Sequence, residues 1–405
     1  MPARIAPLAI TAYTATCAAG RGTGAIARAL ETRTGGLADN DFSSAPLTCK
    51  IGRVGGLEAQ PLPDALAPFD SRNHRLAWMG LNQDGFLERV GALRKRIGAS
   101  RIALVLGTST SSIGETERAY RERQANGGFP PYQRRAQVHQ PHALGLFVQH
   151  ALGLCGPCLT LATACSSSAK VFASAERLLR AGLADAAIVG GVDTLCDSVL
   201  FGFNSLELVA SEACRPFDAN RRGLSLGEAA GFAILERLPQ NGKVEKGTGL
   251  LIGYGESSDA HHMSAPHPQG LGAERALDDA LARAGIRADQ VDYINLHGTA
   301  SQQNDSVEAA LIARRFPATT RASSTKGWTG HTLGAAGILE AAIALIALER
   351  GLAPGTLNTR ELDPVCGPQI RLDNGEADLR IALSNSFGFG GNNCCLAFAR
   401  AESAA

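Results

Sequence analysis

Short apolar runs alternate with longer helical patterns along most of this chain of 405 residues, and this alternation limits the possible folds most strongly. Runs rich in Ile, Val and Ala at 101–110 and 184–194 predict buried strands. Helical patterns occur between such runs, for example at 166–181 and 333–351. Because strands that alternate with helices form largely internal sheets, we predict an α/β fold.

The chain is long enough for two packed parts, and its two parts have a similar rhythm. Each part places a reactive residue type at the end of a predicted strand, directly before a helical pattern. A polar, glycine-rich segment at 239–249 lies between them and predicts a linker or a hairpin tip. We therefore expect an N-terminal half over 1–245 and a C-terminal half over 246–405.

Charge and cysteine content exclude several classes of protein. The chain has 39 basic and 38 acidic residues, and this balance argues against nucleic-acid and membrane-surface binding. Its densest apolar run, 338–348, is shorter than a membrane span and contains Glu340. The first residues lack a long apolar secretion signal and predict a first strand. Ten cysteines without a disulfide-framework spacing predict free thiols in the cytoplasm.

A C-G-P-C sequence places Cys155 and Cys158 at the spacing of a redox dithiol. Such a dithiol needs its nucleophilic cysteine at the N-terminus of a helix, where the thiol pKa is lowered. Here Cys158 leads into a strand pattern at 158–164. We interpret the sequence as a turn with two buried thiols, and a dithiol oxidoreductase is the alternative from another class.

A third cysteine, Cys165, ends a predicted strand and precedes a helix rich in Ser and Ala, as the nucleophile does in a nucleophile elbow. In the second half His297 lies at a strand end in a glycine turn, and Lys326 and His331 precede a helix of small residues. The glycine turn in 384–393 offers backbone N–H groups that could bind an oxyanion. Together these positions favour a catalytic role for the cysteine and the two histidines over a structural one.

Four motifs share one family resemblance: TACSSS (163–168), HGTASQQND (297–305), STKGWTGHTLGAAG (324–337) and NSFGFGGNN (385–393). They resemble the signature blocks of the β-ketoacyl-acyl-carrier-protein synthases, and one cysteine with two histidines resembles the elongating type. The resemblance extends in order from the N-terminal strand to about Ala399. It implies a thiolase-like fold, in which two similar βαβαβ halves stack as α-β-α-β-α layers.

The resemblance also implies a reaction, a decarboxylative Claisen condensation. Cys165 would take an acyl group from a carrier-protein thioester, with the N–H groups of Cys165 and Phe389 as the oxyanion hole. Neutral His297 and His331 would donate hydrogen bonds to the enolate that forms when malonyl carrier protein loses CO2. We expect the helix that starts near Leu333 to supply an N–H to the other nitrogen of His331. The acyl chain grows by two carbons, and neither a cofactor nor a metal is expected.

Supporting residues follow from the same resemblance. Lys326 would act through a carboxylate network, and Glu308 and Asp305 stand at the matching distances from His297. The contacts implied for pantetheine and the acyl group involve Thr299, Ser301, Phe387, Phe389 and His262. The spacing of His261, His262 and His267 matches no usual zinc site.

The implied partners are an acyl carrier protein and a second subunit, either an identical chain or a related ketosynthase-like one. Carrier docking needs a basic patch, for which Arg134, Arg135 and Lys170 are candidates. The segment 214–231 resembles condensing enzymes of aryl-polyene pathways, and a primary fatty-acid synthase is the alternative. The segment 107–117 differs from the glycine-richer stretch of housekeeping enzymes and is implied to form the pocket floor.

Other classes within the same superfamily fit less well. A chain-length-factor-like subunit is a non-catalytic partner, and such subunits usually lack the cysteine that this chain has. A starter-type synthase pairs its cysteine with histidine and asparagine, whereas His331 occupies the second position here. A thiolase has its late cysteine before the glycine turn, but Cys394 and Cys395 follow the turn, and we expect them to pack in the core.

Overall fold

The computed structural model describes residues 2–123, 127–239 and 244–401. Its strands in these ranges are β1 (Leu8–Cys17), β2 (Gly20–Arg21), β3 (Ala38–Asp39), β4 (Lys50–Gly52), β5 (Ile102–Gly107), β6 (Cys158–Leu161), β7 (Ala186–Asp193), β8 (Leu226–Gly227), β9 (Ala229–Arg237), β10 (Gly249–Ser258), β11 (Tyr293–Asn295), β12 (Arg321–Ser323), β13 (Leu352–Ala353), β14 (Gly375–Glu376), β15 (Ile381–Gly388) and β16 (Asn392–Arg400).

The α-helices in the same ranges are α1 (Thr23–Glu31), α2 (Arg72–Leu81), α3 (Phe86–Ile97), α4 (Ile113–Arg121), α5 (Ala143–Leu152), α6 (Ser167–Arg180), α7 (Asp197–Ser205), α8 (Leu271–Ala284), α9 (Gln302–Arg315), α10 (Lys326–Thr329) and α11 (Ala336–Arg350). Short 3-10 helices cover Asp64–Phe69, Ala99–Arg101, Pro131–Gln133, Ala288–Gln290, Leu333–Ala335 and Phe389–Gly391. No helix in the described part of the chain is both long enough and apolar enough to cross a membrane.

The main sheet has eleven strands within the described residues, ten of them in the order β12-β11-β15-β16-β10-β1-β9-β7-β5-β6. The order repeats itself on either side of the central pair β10 and β1. The five strands of each half can be numbered from 1 to 5 by their order in the chain. From the centre of the sheet outward, both halves then have the strand order 1-5-4-2-3. In both halves the outer three strands are parallel and the inner pairs are antiparallel. The predicted pair of similar halves is confirmed.

Successive side chains of a strand point to opposite faces of the sheet, so alternate residues of one strand belong to different layers of the core. On β5, Ala103 and Val105 join a central core with α6 and α11, whereas Leu104 and Leu106 join an outer core with α2, α3 and α5. The other half repeats this pattern, since alternate residues of β16 face the central core or an outer core formed with α8 and α9. The predicted α-β-α-β-α stacking is therefore confirmed.

The two central helices approach each other closely. A Cβ placed on Gly337 of α11 would lie 2.4 Å from the backbone nitrogen of Ala169 in α6, so only glycine fits at this contact. The neighbouring cysteines Cys394 and Cys395 point into the central and the outer core, respectively, and pack as expected.

The connection between the halves differs from a hairpin. Strands β9 and β10 flank the segment 239–249 and pair with opposite edges of β1. The chain therefore passes from one side of β1 to the other at this point, although residues 240–243 of the predicted linker lie outside the described residues. The boundary at 245 and 246 stays a prediction.

Candidate active site

Cys165 lies in a sharp turn between β6 and α6, as the sequence predicts. Ala164 has a φ of 52°, in the left-handed region where a residue with a Cβ is strained by about 1–2 kcal/mol. The side chain of Ser167 holds the turn, because its hydroxyl donates to the Ala164 carbonyl at 2.6 Å and accepts the Thr163 N–H at 2.9 Å. The thiol is 5% exposed and lies just before the first turn of α6.

His331 is the group closest to this thiol, with 2.9 Å between its Nε2 and Cys165 Sγ. Its backbone is fixed by a neighbouring strand: its N–H donates to the Ser225 carbonyl at 2.7 Å, and its carbonyl accepts the Gly227 N–H at 3.0 Å. The expectation that the following helix supplies an N–H to the ring is wrong. Nδ1 of His331 is buried and has no hydrogen-bond partner among the described residues.

His297 completes a compact group of three. Its ring stands at 88° to that of His331 with the ring centroids 5.4 Å apart, and one nitrogen of each ring and the Cys165 sulfur lie within 4.8 Å of one another. Nδ1 of His297, like that of His331, has no hydrogen-bond partner within the ranges the structure describes. The structure therefore brings the three predicted reactive residues together, from two halves of the chain, around a single point.

Glu308 and Asp305 hold the loop that carries His297. The Glu308 carboxylate accepts the N–H groups of His297 at 2.9 Å and Gly298 at 2.8 Å. Asp305 accepts the N–H of Ala300 at 3.1 Å, and Ala300 is itself in a left-handed conformation with a φ of 69°. Both carboxylates are buried, and burial raises the pKa of Asp305 above its usual value and that of Glu308 to about 7. They hold the loop that carries His297 through its backbone.

Lys326 is 1% exposed and pairs with a carboxylate that the sequence analysis did not assign to it. Its ammonium donates to Glu340 and to the carbonyl of His297, the latter at 2.5 Å. The network expected with Glu308 and Asp305 is therefore replaced by a direct ion pair with α11. A signal was present, because Glu340 is the single charged residue in the apolar run 338–348.

Burial and the Lys326 charge set the protonation of the site. Burial holds the pKa values of His297 and His331 well below the usual histidine value, and the nearby Lys326 ammonium lowers both further. Both rings are therefore neutral at physiological pH. Burial also raises the pKa of the Cys165 thiol to about 11, while Lys326 and the N–H groups of Phe389 and Cys165 act in the opposite direction. The resting site is a neutral thiol beside two neutral imidazoles.

The glycine turn between β15 and β16 closes one side of the site. A Cβ on Gly388 would lie 3.1 Å from the backbone nitrogen of Cys165, so the turn and the nucleophile are in direct contact. The backbone N–H groups of Phe389 and Cys165 lie near enough to the sulfur to lower the pKa of its thiol. This is where the oxyanion of a thioester intermediate would form.

A cavity of about 390 Å³ opens above the three reactive groups. The residues predicted to bind pantetheine or the acyl group all line it: Thr299, Ser301, Phe387, Phe389 and His262. Phe203, which no sequence motif singles out, also lines the cavity, and its ring stacks on that of Phe389 with centroids 5.5 Å apart. Thr299 and Ser301 share a hydrogen bond of 3.0 Å between their hydroxyls on the cavity wall.

The basic residues predicted to dock a carrier protein do not line this cavity. Arg135 pairs with Glu115 at 3.0 Å, and Lys170 donates to the side chain of Asn392 at 3.2 Å. Arg134 is exposed and donates to a nearby carbonyl. Arg222, which was not singled out from the sequence, is exposed and does line the cavity.

The C-G-P-C sequence lies away from the cavity, at the start of the edge strand β6. Cys155 is exposed, so the expectation of two buried thiols is wrong for this residue. Cys158 begins β6 and packs against the outer core, and burial raises the pKa of its thiol to about 11. A redox dithiol needs its nucleophilic cysteine at a helix N-terminus, whereas Cys158 begins a strand.

The donor set of Cys165, His297 and His331 could in principle bind a metal ion. Metal-bound histidines usually donate their second nitrogen to a fixed partner, and within the described residues neither ring has one. The Lys326 ammonium beside the rings also opposes a cation. His261 and His267 lie in a loop with ring centroids 5.1 Å apart. That no metal is used stays a prediction.

Comparison with known proteins gives a consistent result. The family model "Beta-ketoacyl synthase, N-terminal domain" matches residues 75–241, and "Beta-ketoacyl synthase, C-terminal domain" matches residues 248–360. Nodulation protein E of Rhizobium meliloti (strain 1021) is 37% identical over 308 residues, which are 74% of this chain and 76% of that protein. The 3-oxoacyl-[acyl-carrier-protein] synthase 2 of the same strain is 39% identical over 260 residues, which are 60% of this chain and 61% of that protein.

A solved structure extends the similarity over nearly the whole chain. The ketosynthase ApeO of Xenorhabdus doucetiae, determined in complex with its chain length factor ApeC, matches with a TM-score of 0.88 and 37% identity. The match covers 98% of each chain.

Proposed function

Because this chain belongs to the beta-ketoacyl synthase family, the acyl-transferring condensing enzymes of fatty-acid and polyketide synthesis, we propose that it extends an acyl group held on Cys165 with a two-carbon unit from malonyl carrier protein. The observation that carries the proposal is the convergence of one thiol and two neutral imidazoles on a single point below an open cavity. Acyl groups arrive on the phosphopantetheine of a carrier protein, and no other cofactor takes part.

The first step transfers an acyl group to the enzyme. Cys165 Sγ attacks the thioester carbon, and the N–H groups of Cys165 and Phe389 stabilise the oxyanion. The C–S bond to pantetheine then breaks, and the departing carrier thiol takes the proton that the cysteine gave up. His331 transfers this proton, because its Nε2 is 2.9 Å from the sulfur. Thioester exchange keeps the acyl carbon electrophilic for the next step.

The second step is loss of CO2 from malonyl carrier protein. Once the sulfur is acylated, Nε2 of His331 faces no S–H group, and the ring takes up a proton at Nε2 from solvent and releases the one on Nδ1. In this tautomer Nδ1 carries no hydrogen, which suits its lack of a partner among the described residues. His297 and His331 then donate two hydrogen bonds to the thioester oxygen as it becomes an enolate oxygen. Their low pKa values keep them neutral donors across physiological pH.

The third step forms the carbon–carbon bond. The enolate carbon attacks the acyl thioester on Cys165, and the same N–H pair stabilises the oxyanion. The C–S bond breaks, and the cysteine regains a proton from solvent. The balance is one acyl-enzyme, one malonyl thioester and one proton, giving one β-ketoacyl thioester, one CO2 and the free thiol.

Other residues position these groups. Lys326 holds the carbonyl of His297 and lowers the proton affinity of both rings. Thr299 and Ser301 lie on the cavity wall, where they can hydrogen-bond the pantetheine arm. Phe387 and Phe389 line the same cavity as Cys165, where they can act as a gate between the cysteine and the acyl pocket, and His262 also lines this cavity.

The proposed partners are an acyl carrier protein and a second ketosynthase-like subunit in a dimer, in the cytoplasm. The similarity to ApeO, which was solved with a chain length factor, supports a related rather than an identical second subunit. It also supports the aryl-polyene pathway over primary fatty-acid synthesis. Arg222 is the basic residue on the cavity wall that can meet an acidic carrier protein.

A role as a non-catalytic chain length factor is the alternative. A non-catalytic subunit would not need the reactive groups that this chain retains. Cys165, the two imidazole rings and the ion pair of Lys326 are all in place. The alternative therefore predicts no acyl-enzyme.

Mass spectrometry of the acyl-enzyme tests the proposal. The protein is incubated with carrier-protein thioesters of varied length and unsaturation, digested and mapped. We expect the acyl mass on the peptide that contains Cys165, its absence in Cys165→Ala, and an unchanged result in Cys155→Ser. Acylation that persists in Cys165→Ala, or none with any thioester, contradicts the proposed function.

A further inference from the structure

Thr299 and Ser301, whose hydroxyls are proposed to bind the pantetheine arm, belong to a strained loop. Gly298 has a φ of 33° and Ala300 a φ of 69°, so two residues of the loop take left-handed conformations. Such a backbone persists only where the surrounding structure holds it in place. The contacts that hold this loop therefore determine where the two hydroxyls lie.

Arg221 contacts the end of this loop from behind the cavity wall. Its side chain is buried, whereas the next residue, Arg222, lines the cavity. The Arg221 guanidinium donates to the carbonyls of Ser301 at 3.3 Å and Gln302 at 2.8 Å, and to Ser306 Oγ on α9 at 2.6 Å. In return the side chain of Gln302 donates to the Arg221 carbonyl at 2.6 Å. One arginine therefore fixes both the end of the loop and the start of α9.

The guanidinium is itself anchored by acceptors from two other segments. It donates to the Asp218 carbonyl at 2.9 Å and to the Asp363 carboxylate at 2.6 Å. These two segments are joined to each other, because the Ala219 N–H donates to the Glu361 carbonyl at 2.8 Å. A planar guanidinium has its donors in a fixed fork, so the anchored group defines the position of both loop carbonyls. A lysine ammonium on its flexible stem could not do so.

The stability of α9 does not explain this arrangement. A cation near the N-terminus of a helix is unfavourable, because the N–H groups there carry a partial positive charge. A serine in the position of Ser301 usually caps the helix that follows it, but here its hydroxyl pairs with that of Thr299 at 3.0 Å. Both Arg221 and Ser301 thus serve the loop on the cavity wall in place of the helix.

Arg221 also acts on Asp305, the other support of this loop. The Asp305 carboxylate accepts the N–H groups of Ala300 at 3.1 Å and Phe217 at 2.7 Å. Burial raises the pKa of Asp305, and the positive charge of Arg221 is among the effects that oppose this shift. Because an ionised carboxylate is the stronger acceptor, the charge of Arg221 strengthens the bond that holds Ala300 in its left-handed conformation.

We propose that Arg221 is a positioning residue for the pantetheine arm, which it serves by holding the backbone of 299–302 so that Thr299 and Ser301 present their hydroxyls to the arm. This role rests on the proposed function, because it concerns a substrate carried on pantetheine. Arg221 itself lies outside the cavity lining and acts only through the loop. Its replacement should therefore weaken recognition of the arm and leave the chemistry of Cys165 intact.

Two thioesters of the same acyl group separate recognition of the arm from the chemistry. One carries pantetheine and the other ethanethiol, which offers no amide, and kcat/KM for acylation of Cys165 is measured with each on the full-length protein. The ratio of the two values is the arm selectivity. Arg221→Lys keeps a charge beside Asp363 but loses the fork to the loop carbonyls. We expect it to lower kcat/KM about tenfold with the pantetheine thioester and to leave the value with the ethyl thioester unchanged. An arginine with only a structural role would lower both values alike.

A mutant cycle tests whether Arg221 acts through the two hydroxyls. Thr299→Val with Ser301→Ala should lower the arm selectivity, and adding Arg221→Lys to this double variant should lower it no further. Arg94→Lys is the matched control, because the Arg94 guanidinium also donates to a backbone carbonyl, that of Leu152 at 2.8 Å, but lies outside the cavity lining. The control should keep the arm selectivity of the native enzyme.

The outcomes distinguish the positioning role from the proposed function. Equal losses with both thioesters, or a further tenfold loss in the triple variant, overturn the positioning role and leave the proposed function standing. If Arg221→Lys does not fold, Ser306→Ala removes one acceptor of the guanidinium and should lower the arm selectivity about twofold to threefold. Native arm selectivity in that variant would then refute the role. Absence of any acyl group on Cys165 with either thioester overturns the proposed function itself.

Discussion

The buried ion pair between Lys326 and Glu340 offers a quantitative test of how the site is supported. Both side chains are at most 3% exposed, and the ammonium has the His297 carbonyl as its other acceptor. Replacing Glu340 by leucine leaves a buried ammonium without its counter-charge. Breaking a buried pair in this way destabilises a protein by about 3–5 kcal/mol.

Replacing both partners gives the opposite expectation. The double variant Lys326→Met with Glu340→Leu removes both charges and keeps similar volumes. Apolar replacement of a whole buried pair is often neutral or stabilising by about 1–4 kcal/mol. The double variant should therefore be more stable than Glu340→Leu alone, with a coupling energy of at least about 2 kcal/mol between the two positions.

Urea unfolding followed by tryptophan fluorescence measures these differences. The chain has two tryptophans, and Trp328 is completely buried two residues from Lys326. The comparison is made through the midpoint at constant m. Asp289→Asn, which breaks an exposed pair with Arg287, is the control and should not shift the midpoint. If the double variant loses as much stability as the two single variants added together, the two charges do not form the pair described here.

Three further predictions concern the chemistry. In the double variant Cys165→Ala with Glu308→Gln, the Glu308 carboxyl with its pKa of about 7 no longer titrates, and decarboxylation of malonyl carrier protein should stay constant as the pH falls from about 8 to about 6. The pKa values of both histidines lie well below the usual 6.5, so their neutral form persists there, and a loss of CO2 release centred near 6.5 would contradict this. Lys326→Met should move the acid limb of the same profile to higher pH, because a positive charge that lowers both pKa values is removed. Glu308→Gln should lower kcat about tenfold to a hundredfold, because the two N–H groups bind different carboxylate oxygens and the new NH2 group must face one of them. A kcat equal to that of the native enzyme would refute the positioning role.

Much of the fold was predictable from local patterns. Strand β5 and the long helix α11 were evident because burial on all sides leaves a continuous apolar run in each. Helices α2, α3 and α5 were not predicted. The chain around α2 and α3 carries many charged and polar residues on the solvent side, and their buried faces are defined only by the sheet they cover.

The reactive residues were predictable because each stands in a short motif at the end of an element. Their partners were not, since contacts such as Lys326 with Glu340 depend on how α10 and α11 pack. The backbone pairing of His331 with residues 225–227 depends likewise on a strand distant in sequence. The run of serines and threonines at 108–112 was visible in the sequence, but the contacts that hold it come from Asp193, which lies over eighty residues away.

In the proposed reaction Cys165 carries the acyl group, and the two imidazoles promote the loss of CO2 from malonyl carrier protein. The most direct measurement is the ratio of CO2 released to β-ketoacyl product formed, with labelled malonyl carrier protein and an acyl carrier thioester. We predict a ratio of one for the native enzyme, CO2 without product for Cys165→Ala, and neither for His297→Ala. Product formation by Cys165→Ala, or undiminished CO2 release by His297→Ala, would contradict the account.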